Sequence, residues 1–363
     1  MRRVYAAVLG LFIGLAAVAA LLGYWGLQTY SGPGPLKEAA TIVIPKGSGR
    51  DAILRRLLAA GVIEDPLIFR ITVRATGSAG KLKAGEYRFP ARVSMKRVLA
   101  RIVSGKTVLR FFTASEGRTT YQILQRLAST EGLEGEVSSK PGEGELLPET
   151  YSFALGDTRD AIVKRMREAM TKVIDELWEK RAEGLPIKTK REALILASII
   201  EKETGKKGER PRVAAVFINR LRKGMRLQTD PTVIYGITNG KGALGRRLLT
   251  KDLEKKTPYN TYRIDGLPPG PIANPGRASI AAALNPAKTK DLYFVADGTG
   301  GHVFSETLEQ HNKNVRRWRE IRKQREAEEA KEKAEEAKKK AEEAKKTNGD
   351  GSTKPKDGGA SNN

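Results

Sequence analysis

Cysteine is absent from the chain, and histidine occurs only at His302 and His311. The first absence excludes disulfides and thiolate metal ligands, and the second leaves little for a histidine metal site or a histidine-activated nucleophile. The expectation is a fold held by burial alone, with no metal and no cofactor. Acidic residues are in deficit as well: 42 Asp and Glu stand against 66 Lys and Arg, a formal net charge of +24. In a cytosolic protein that excess points to nucleic acid, but the sequence carries no recognised nucleic-acid motif. Outside a membrane it favours anionic headgroups or an acidic polymer.

Charge is missing altogether between Arg3 and Lys37. Within that gap Val4 to Leu27 is almost wholly apolar, longer than the roughly 20 residues that span a bilayer. The segment reads as a single transmembrane helix at 4–27. Arg2 and Arg3 stay on the cytoplasmic side by the positive-inside rule, and Tyr24, Trp25 and Tyr30 suit the far interface. The competing reading is a cleaved signal peptide, since Ala17-Val18-Ala19 has the small-x-small form. The apolar run continues past that point to Leu27, which favours the anchor.

The remaining length suffices for two folded units, and the pattern is α+β. Ser31-Gly-Pro-Gly-Pro35 reads as a flexible linker within 28–40, letting the first domain clear the membrane. A diluted repeat follows. Thr41 to Gly47 leads into Asp51 to Leu58, and Arg110 to Gly117 leads into Tyr121 to Leu127, each a strand, a glycine turn and a helix. Between them lie a strand-like Lys81 to Pro90 and a helically spaced Met95 to Ile102. These units, at 41–130, resemble LysM-type modules, which bind N-acetylglucosamine polymers; the alternative is a plain α+β spacer.

Further on, Asp160 to Ala182 is amphipathic, with Ile162, Met166, Met170, Val173 and Leu177 near one face. Arg191 to Thr204 and Arg212 to Arg222 read as helices, Met225 to Pro275 as a loop-rich stretch, Leu292 to Ala296 as a strand before an Asp297-Gly298 turn, and Ser305 to Arg322 as the last ordered helix. Glu326 to Lys346 repeats Ala, Glu and Lys without an apolar face and can be helical through i,i+4 pairs. Thr347 to Asn363 is expected to be disordered.

Glu201 stands directly behind the apolar run Ala193 to Ile200. A glutamate held against apolar surface has its ionised form disfavoured, which suits it to give and take a proton. On a helix Leu194, Ala197, Ser198 and Glu201 share a face, and the small side chains there leave room for a substrate. Glu203 shares its face with Leu196, Ile199 and Ile200, and its i+3 and i+4 neighbours are Lys206 and Lys207, as in a structural pair. The alternative for both glutamates is a solvated helix end.

Six motifs in order then carry a family resemblance: Leu194 to Thr204, Val216 to Leu221, Met225 to Gly236, Tyr259 to Tyr262, Gly266 to Gly276 and Tyr293 to Ala296. Together the chain resembles the endolytic murein transglycosylases, the YceG-like family, over roughly Thr41 to Trp318. The resemblance implies a single-pass protein of the bacterial inner membrane with its N-terminus (1–3) cytoplasmic, a LysM-like domain, a catalytic domain at 131–322 facing the wall, and a charged tail at 323–363. It implies a lyase that cuts nascent peptidoglycan glycan strands, leaves 1,6-anhydro ends and so limits strand length, with peptidoglycan synthases as partners. Carried over, the catalytic glutamate is the first of the Glu-Lys-Glu-Thr motif, Glu201, in agreement with the helical face. Glu143 is retained within Glu143 to Tyr151, although Glu149 replaces the family's aspartate. Gln228, Thr229 and Asp230 suit sugar hydroxyls and acetamido groups, Tyr235, Tyr259 and Tyr262 suit pyranose faces, and Asn260 suits substrate orientation. Thr229-Asp230-Pro231 equally reads as a helix N-cap with proline behind it, and Asn260 as a turn residue. A wall-binding scaffold without catalysis is the second reading; a nucleic-acid-binding protein, which needs a cytoplasmic face, is the third.

Overall fold

Burial of period-two and period-3.6 apolar faces organises the computed structural model, which describes residues 1–349, into two compact units, Met1–Thr171 and from Lys172 on. It is a mixed helix-and-strand protein that begins with an apolar helix. In the first unit the order is α1 (Arg2–Ser31), β1 (Ala40–Ile44), α2 (Arg50–Ala59), α3 (Pro66–Ala75), β2 (Gly85–Phe89), α4 (Met95–Ser104), β3 (Arg110–Thr113), α5 (Thr120–Ala128), β4 (Leu133–Glu134), β5 (Thr150–Phe153), β6 (Asp157–Thr158) and α6 (Arg159–Glu179), whose last turns belong to the second unit.

α1 is long and apolar enough to cross a membrane, and none of its residues is buried in the protein. β1 and β2 pair antiparallel, with Ile42 opposite Tyr87 and Ala40 opposite Phe89. The alternation turns Ile42, Ile44, Tyr87 and Phe89 into a core completed by Leu54, Leu57, Phe69, Val98 and Ile102. A second core gathers Phe112, Ile123, Leu127, Leu146, Phe153, Ile162 and Met166, residues from both sides of position 130. Both copies of the sequence repeat form strand, turn and helix, and Gly47 and Gly117 take the positive φ (78° and 71°) that their turns require. α3 was not foreseen; its signal is Asp65-Pro66, where Asp65 accepts the Ile68 amide and proline occupies the first turn.

The segment after α1 is not slack, contrary to the flexible-linker reading. Tyr30 packs on the first core, Leu36 is buried in it, the Gly34 amide donates to the Arg92 carbonyl (3.2 Å), and the Arg92 amide donates to Leu36 (2.7 Å). A Cβ at Gly34 would stand 2.1 Å from the Val93 carbonyl oxygen, so only glycine permits this approach. The first core is therefore fastened to the end of α1.

The second unit contains α7 (Lys190–Glu203), a short 3-10 turn at Lys207–Glu209, α8 (Arg210–Arg222), α9 (Asp230–Thr238), α10 (Thr250–Glu254), α11 (Arg277–Leu284), the hairpin β7 (Tyr293–Ala296) and β8 (His302–Ser305), and α12 (Leu308–Gly349). α7 is central, packed against α8, α9 and α11. The stretch expected to be loop-rich thus holds α9 and α10, and α11 and β8 were not foreseen. α12 runs on through the Ala-Glu-Lys repeat, where Glu336 and Lys340 pair at i,i+4 (2.6 Å). Thr347 to Gly349 still belong to it, and the rest of the tail expected to be disordered lies outside the described residues.

Candidate functional site

α7 starts at Thr189, whose hydroxyl accepts the Glu192 amide (3.1 Å), and from Ile195 to Ile200 every residue is buried. A helix buried on all sides has no open face until it ends, so its chemistry concentrates at its last turn. Two glutamates stand there in opposite settings.

Glu201 shares its face with Ser198, as expected, but the room beside those small side chains is filled by the chain itself. The Ser198 hydroxyl accepts the Ile272 amide (3.0 Å) and donates to the Ile195 carbonyl (2.7 Å). Glu201 Oε2 accepts the Gly276 amide (2.9 Å), and Oε1 accepts from Arg210 Nη2 (3.0 Å) in an ion pair whose side chains are only 5% and 6% exposed. The motif Gly266 to Gly276 is thus a strap against α7, and α11 packs behind it. Geometrically Glu201 is a strut: both of its oxygens have buried partners.

Glu203, the last residue of α7, accepts a short hydrogen bond from the Thr229 hydroxyl. The protein surrounds the carboxyl on nearly every side while leaving part of the residue at the surface. Burial pushes its pKa above the usual glutamate value; the neighbouring Asp230 charge pushes the same way, against the Thr229 hydrogen bond and the positive charge of Arg220. The helix ends at Glu203, so Lys206 and Lys207 do not follow it on a helical face, and the pairing expected from the sequence has no basis in the geometry. The environment anticipated for Glu201 is found at Glu203.

The segments after α8 close around Glu203. Thr229 stands at the N-cap position of α9, yet its hydroxyl serves Glu203 rather than the helix. Its amide donates to Thr261 Oγ1 (3.0 Å), which also meets Thr232 Oγ1 (2.9 Å). Gln228 is exposed, with a left-handed φ of 52°, and its amide donates to the Thr261 carbonyl (3.2 Å). Tyr262 donates to Asp230 Oδ1 (2.7 Å); burial, then Asp230, push its ionisation upward, so it stays a neutral donor. Arg220 is buried and gives its guanidinium to the carbonyls of Leu292 (2.7 Å) and Leu227 (2.7 Å). Burial lowers its pKa from a value high enough that it remains a cation. His302 Nδ1 lies 2.8 Å from Glu209 Oε2, and its amide donates to Oε1 (3.0 Å). Burial by itself would raise the Glu209 carboxyl, but these contacts hold it below its ordinary value.

Of the residues expected from the sequence, Thr229, Asp230 and Tyr262 gather at Glu203, with Gln228 next to them. Tyr235 and Tyr259 face each other, ring centroids 4.8 Å apart. Asn260 is buried, and its amide donates to the carbonyls of Leu253 (3.0 Å) and Lys255 (2.7 Å) while Oδ1 accepts the Tyr262 amide (3.0 Å). It holds the turn, as its alternative reading has it. Glu143 lies in the first unit, where it accepts the Thr120 amide (2.8 Å). Sequence reasoning missed Arg220, Thr261, Glu209 and His302, whose side chains converge only through tertiary contacts, and it assigned Glu203 to a lysine pair.

A family model described as the YceG-like family matches residues 42–317. A Bacillus subtilis protein named endolytic murein transglycosylase is 35% identical over 309 residues, which cover 76% of this chain and 84% of that protein. A Streptococcus pneumoniae protein of the same name is 30% identical over 328 residues, which cover 77% of this chain and 58% of that one. The crystal structure of a yceG-like protein from Listeria monocytogenes is 36% identical, covering 76% of this chain and 99% of that chain, with a TM-score of 0.45. The ordered motifs, the family model and the Bacillus subtilis relative lead to one conclusion: the chain belongs to the YceG-like family.

Proposed function

We propose that this protein is a membrane-anchored lytic transglycosylase that cuts peptidoglycan glycan strands internally, with Glu203 rather than Glu201 as the acid–base group. The observation that carries the reading is the setting of Glu203: a carboxyl at the last residue of a buried helix, held by the Thr229 hydroxyl, with its pKa raised by burial. The relatives' shared name supplies the substrate class.

One carboxyl is enough for this reaction. Glu203, protonated, donates its proton to the oxygen of the leaving N-acetylglucosamine as the bond to the anomeric carbon of N-acetylmuramic acid breaks. The C6 hydroxyl of the same muramic ring forms the new bond to that carbon, and the Glu203 carboxylate takes the hydroxyl proton. The product is a 1,6-anhydro ring, no water is consumed, and the acid is regenerated. Attack within one ring gains from proximity because nucleophile and electrophile are already tethered. Arg220 lends positive charge to the carboxylate formed midway, and burial, with the charge of Asp230 held by Tyr262, disfavours the ionised form of the resting acid. The exposed Gln228 and the Tyr235–Tyr259 pair offer polar and stacking contacts for neighbouring sugars.

α1 serves as the anchor, its N-terminus cytoplasmic and the rest of the chain on the wall side, where internal cutting limits strand length. The β1-α2-α3-β2 order, two antiparallel strands around two helices, supports a LysM-like role for the first unit in holding glycan. The test is digestion of purified glycan strands followed by mass spectrometry. Anhydro-muramic ends that vanish in Glu203→Gln are expected, whereas hydrated reducing ends as the main product would make the protein a hydrolase using a second carboxylate.

A further inference from the structure

The first unit carries a groove of about 740 Å³ whose walls include Arg50, Asp51, Leu67, Arg70, Ile71 and Arg74. Most of these come from α3. Its positions 68, 69 and 73 are buried in the first core, while Leu67, Arg70, Ile71 and Arg74 follow one another at i, i+3, i+4 and i+7 on the outer side. Leu67 and Ile71 are 60% and 54% exposed, two large apolar side chains flanked by guanidinium groups. Arg70 lies 3.4 Å from Asp51, with both side chains more than half exposed, so the contact is weak and both remain accessible. With three arginines against one aspartate the groove is cationic around an apolar floor. That is the complement of an amphiphile with an anionic head.

The position of α3 along α1 decides which amphiphile. α3 packs on α1, where Ile68 Cδ1 comes within 3.5 Å of the place a Cβ would occupy on Gly26. Gly26 lies inside the uncharged apolar run Val4 to Leu27, which at about 1.5 Å per residue is roughly 36 Å long against a hydrocarbon core of about 30 Å. With α1 in a bilayer, the level of Gly26 is the edge of the hydrocarbon. The segment between α1 and the first core is fastened by Tyr30, Gly34 and Leu36, so the unit has no tether on which to rise from that level.

We propose that α3 lies in the lipid–water interface, with Leu67 and Ile71 among the upper acyl chains and Arg50, Arg70 and Arg74 on the phosphates of anionic phospholipids. The first unit then rests on the membrane rather than standing off it. Amphipathic helices with basic flanks bind interfaces in this way, and each arginine near an anionic surface adds to the attraction. The inference rests on the reading of α1 as the anchor, and its test separates the two.

Because the chain has no cysteine, single spin labels can be placed on the full-length protein at Ile71→Cys, Leu15→Cys and Glu131→Cys, in nanodiscs of phosphatidylglycerol or of phosphatidylcholine. Accessibility to oxygen against a water-soluble relaxant then reports depth at each site. Expected are a label at 15 deep in lipid, a label at 131 in water, and a label at 71 at headgroup depth in the anionic discs. The label at 71 should shift toward water in the zwitterionic discs and in the Arg70→Gln, Arg74→Gln double variant. A label at 71 as wet as that at 131, with 15 in lipid, overturns the docking and leaves the anchor standing. Interfacial depth at 71 that ignores lipid charge overturns the role of the arginines. A label at 15 in water removes the anchor reading, and this inference with it.

Discussion

Glutamine at each of the two glutamates of the α7 terminus tests the proposed division between a strut at Glu201 and an acid at Glu203. In Glu201→Gln the amide oxygen can still accept the Gly276 amide, but Arg210, 6% exposed, loses the countercharge 3.0 Å away. Removing one partner of a buried ion pair costs about 3–5 kcal/mol. For a folded unit of this size that corresponds to a melting temperature lower by roughly 6–20 °C, at about 2–4 °C per kcal/mol. Where the protein is still folded, some turnover should survive. Glu203→Gln has the opposite profile. The amide still accepts from the Thr229 hydroxyl, and a carboxyl whose ionised form is disfavoured has been removed, so stability near neutral pH is unchanged or higher. Turnover should fall by about 10²–10⁴, the usual contribution of a positioned acid–base group. Calorimetry and release of anhydro-muropeptides, measured on both variants, give four numbers. A Glu201→Gln variant that melts like the unsubstituted protein yet is inactive, beside an active Glu203→Gln, would falsify the assignment.

The raised Glu203 pKa also sets a pH dependence. The folded protein holds this proton more tightly than the unfolded chain, so its stabilising contribution is complete below the ordinary glutamate value of 4.5 and declines as pH rises toward the raised one. Calorimetric melts of Glu203→Gln should lack that slope, and the falling limb of turnover in the unsubstituted protein should lie above the ordinary glutamate range. Asn260→Ala removes the amide that satisfies the Leu253 and Lys255 carbonyls and should lower stability by about 2–3 kcal/mol in denaturant titrations. The affinity of the fraction still folded should be unchanged; a selective loss of glycan binding would return Asn260 to the substrate. Gly34→Ala drives a methyl into the Val93 carbonyl and should destabilise the first unit by about 1–3 kcal/mol, read by hydrogen exchange at the Arg92 amide, which donates to Leu36. Exchange unaltered by the substitution would restore the flexible linker.

Local chemistry was legible in the sequence. The uncharged run of α1, the two strand–glycine–helix copies, the apolar face of α6 and the buried run of α7 follow from periodicity and turn residues, because those features are written in neighbours a few positions apart. The Thr229-Asp230-Pro231 cap announced α9 even within a stretch read as loop. The six motifs carried the family likeness, since they survive as short strings. The sequence reading gave the acid–base role to Glu201 and a structural role to Glu203, and the reversal we propose rests on tertiary contacts. Both stand behind the same apolar run, two residues apart and therefore on different faces of one helix. Which face meets open space depends on what returns from far along the chain. The strap at Gly276 and Arg210 of α8 engage both oxygens of the first, while the second meets the Thr229 hydroxyl and lies near Arg220 and His302. Likewise the linker's composition predicted freedom, and only the backbone of Arg92 and Val93, brought alongside Gly34, removed it. A carboxyl's pKa and a segment's slack are properties of its surroundings, and those surroundings are assembled by contacts between residues distant in sequence.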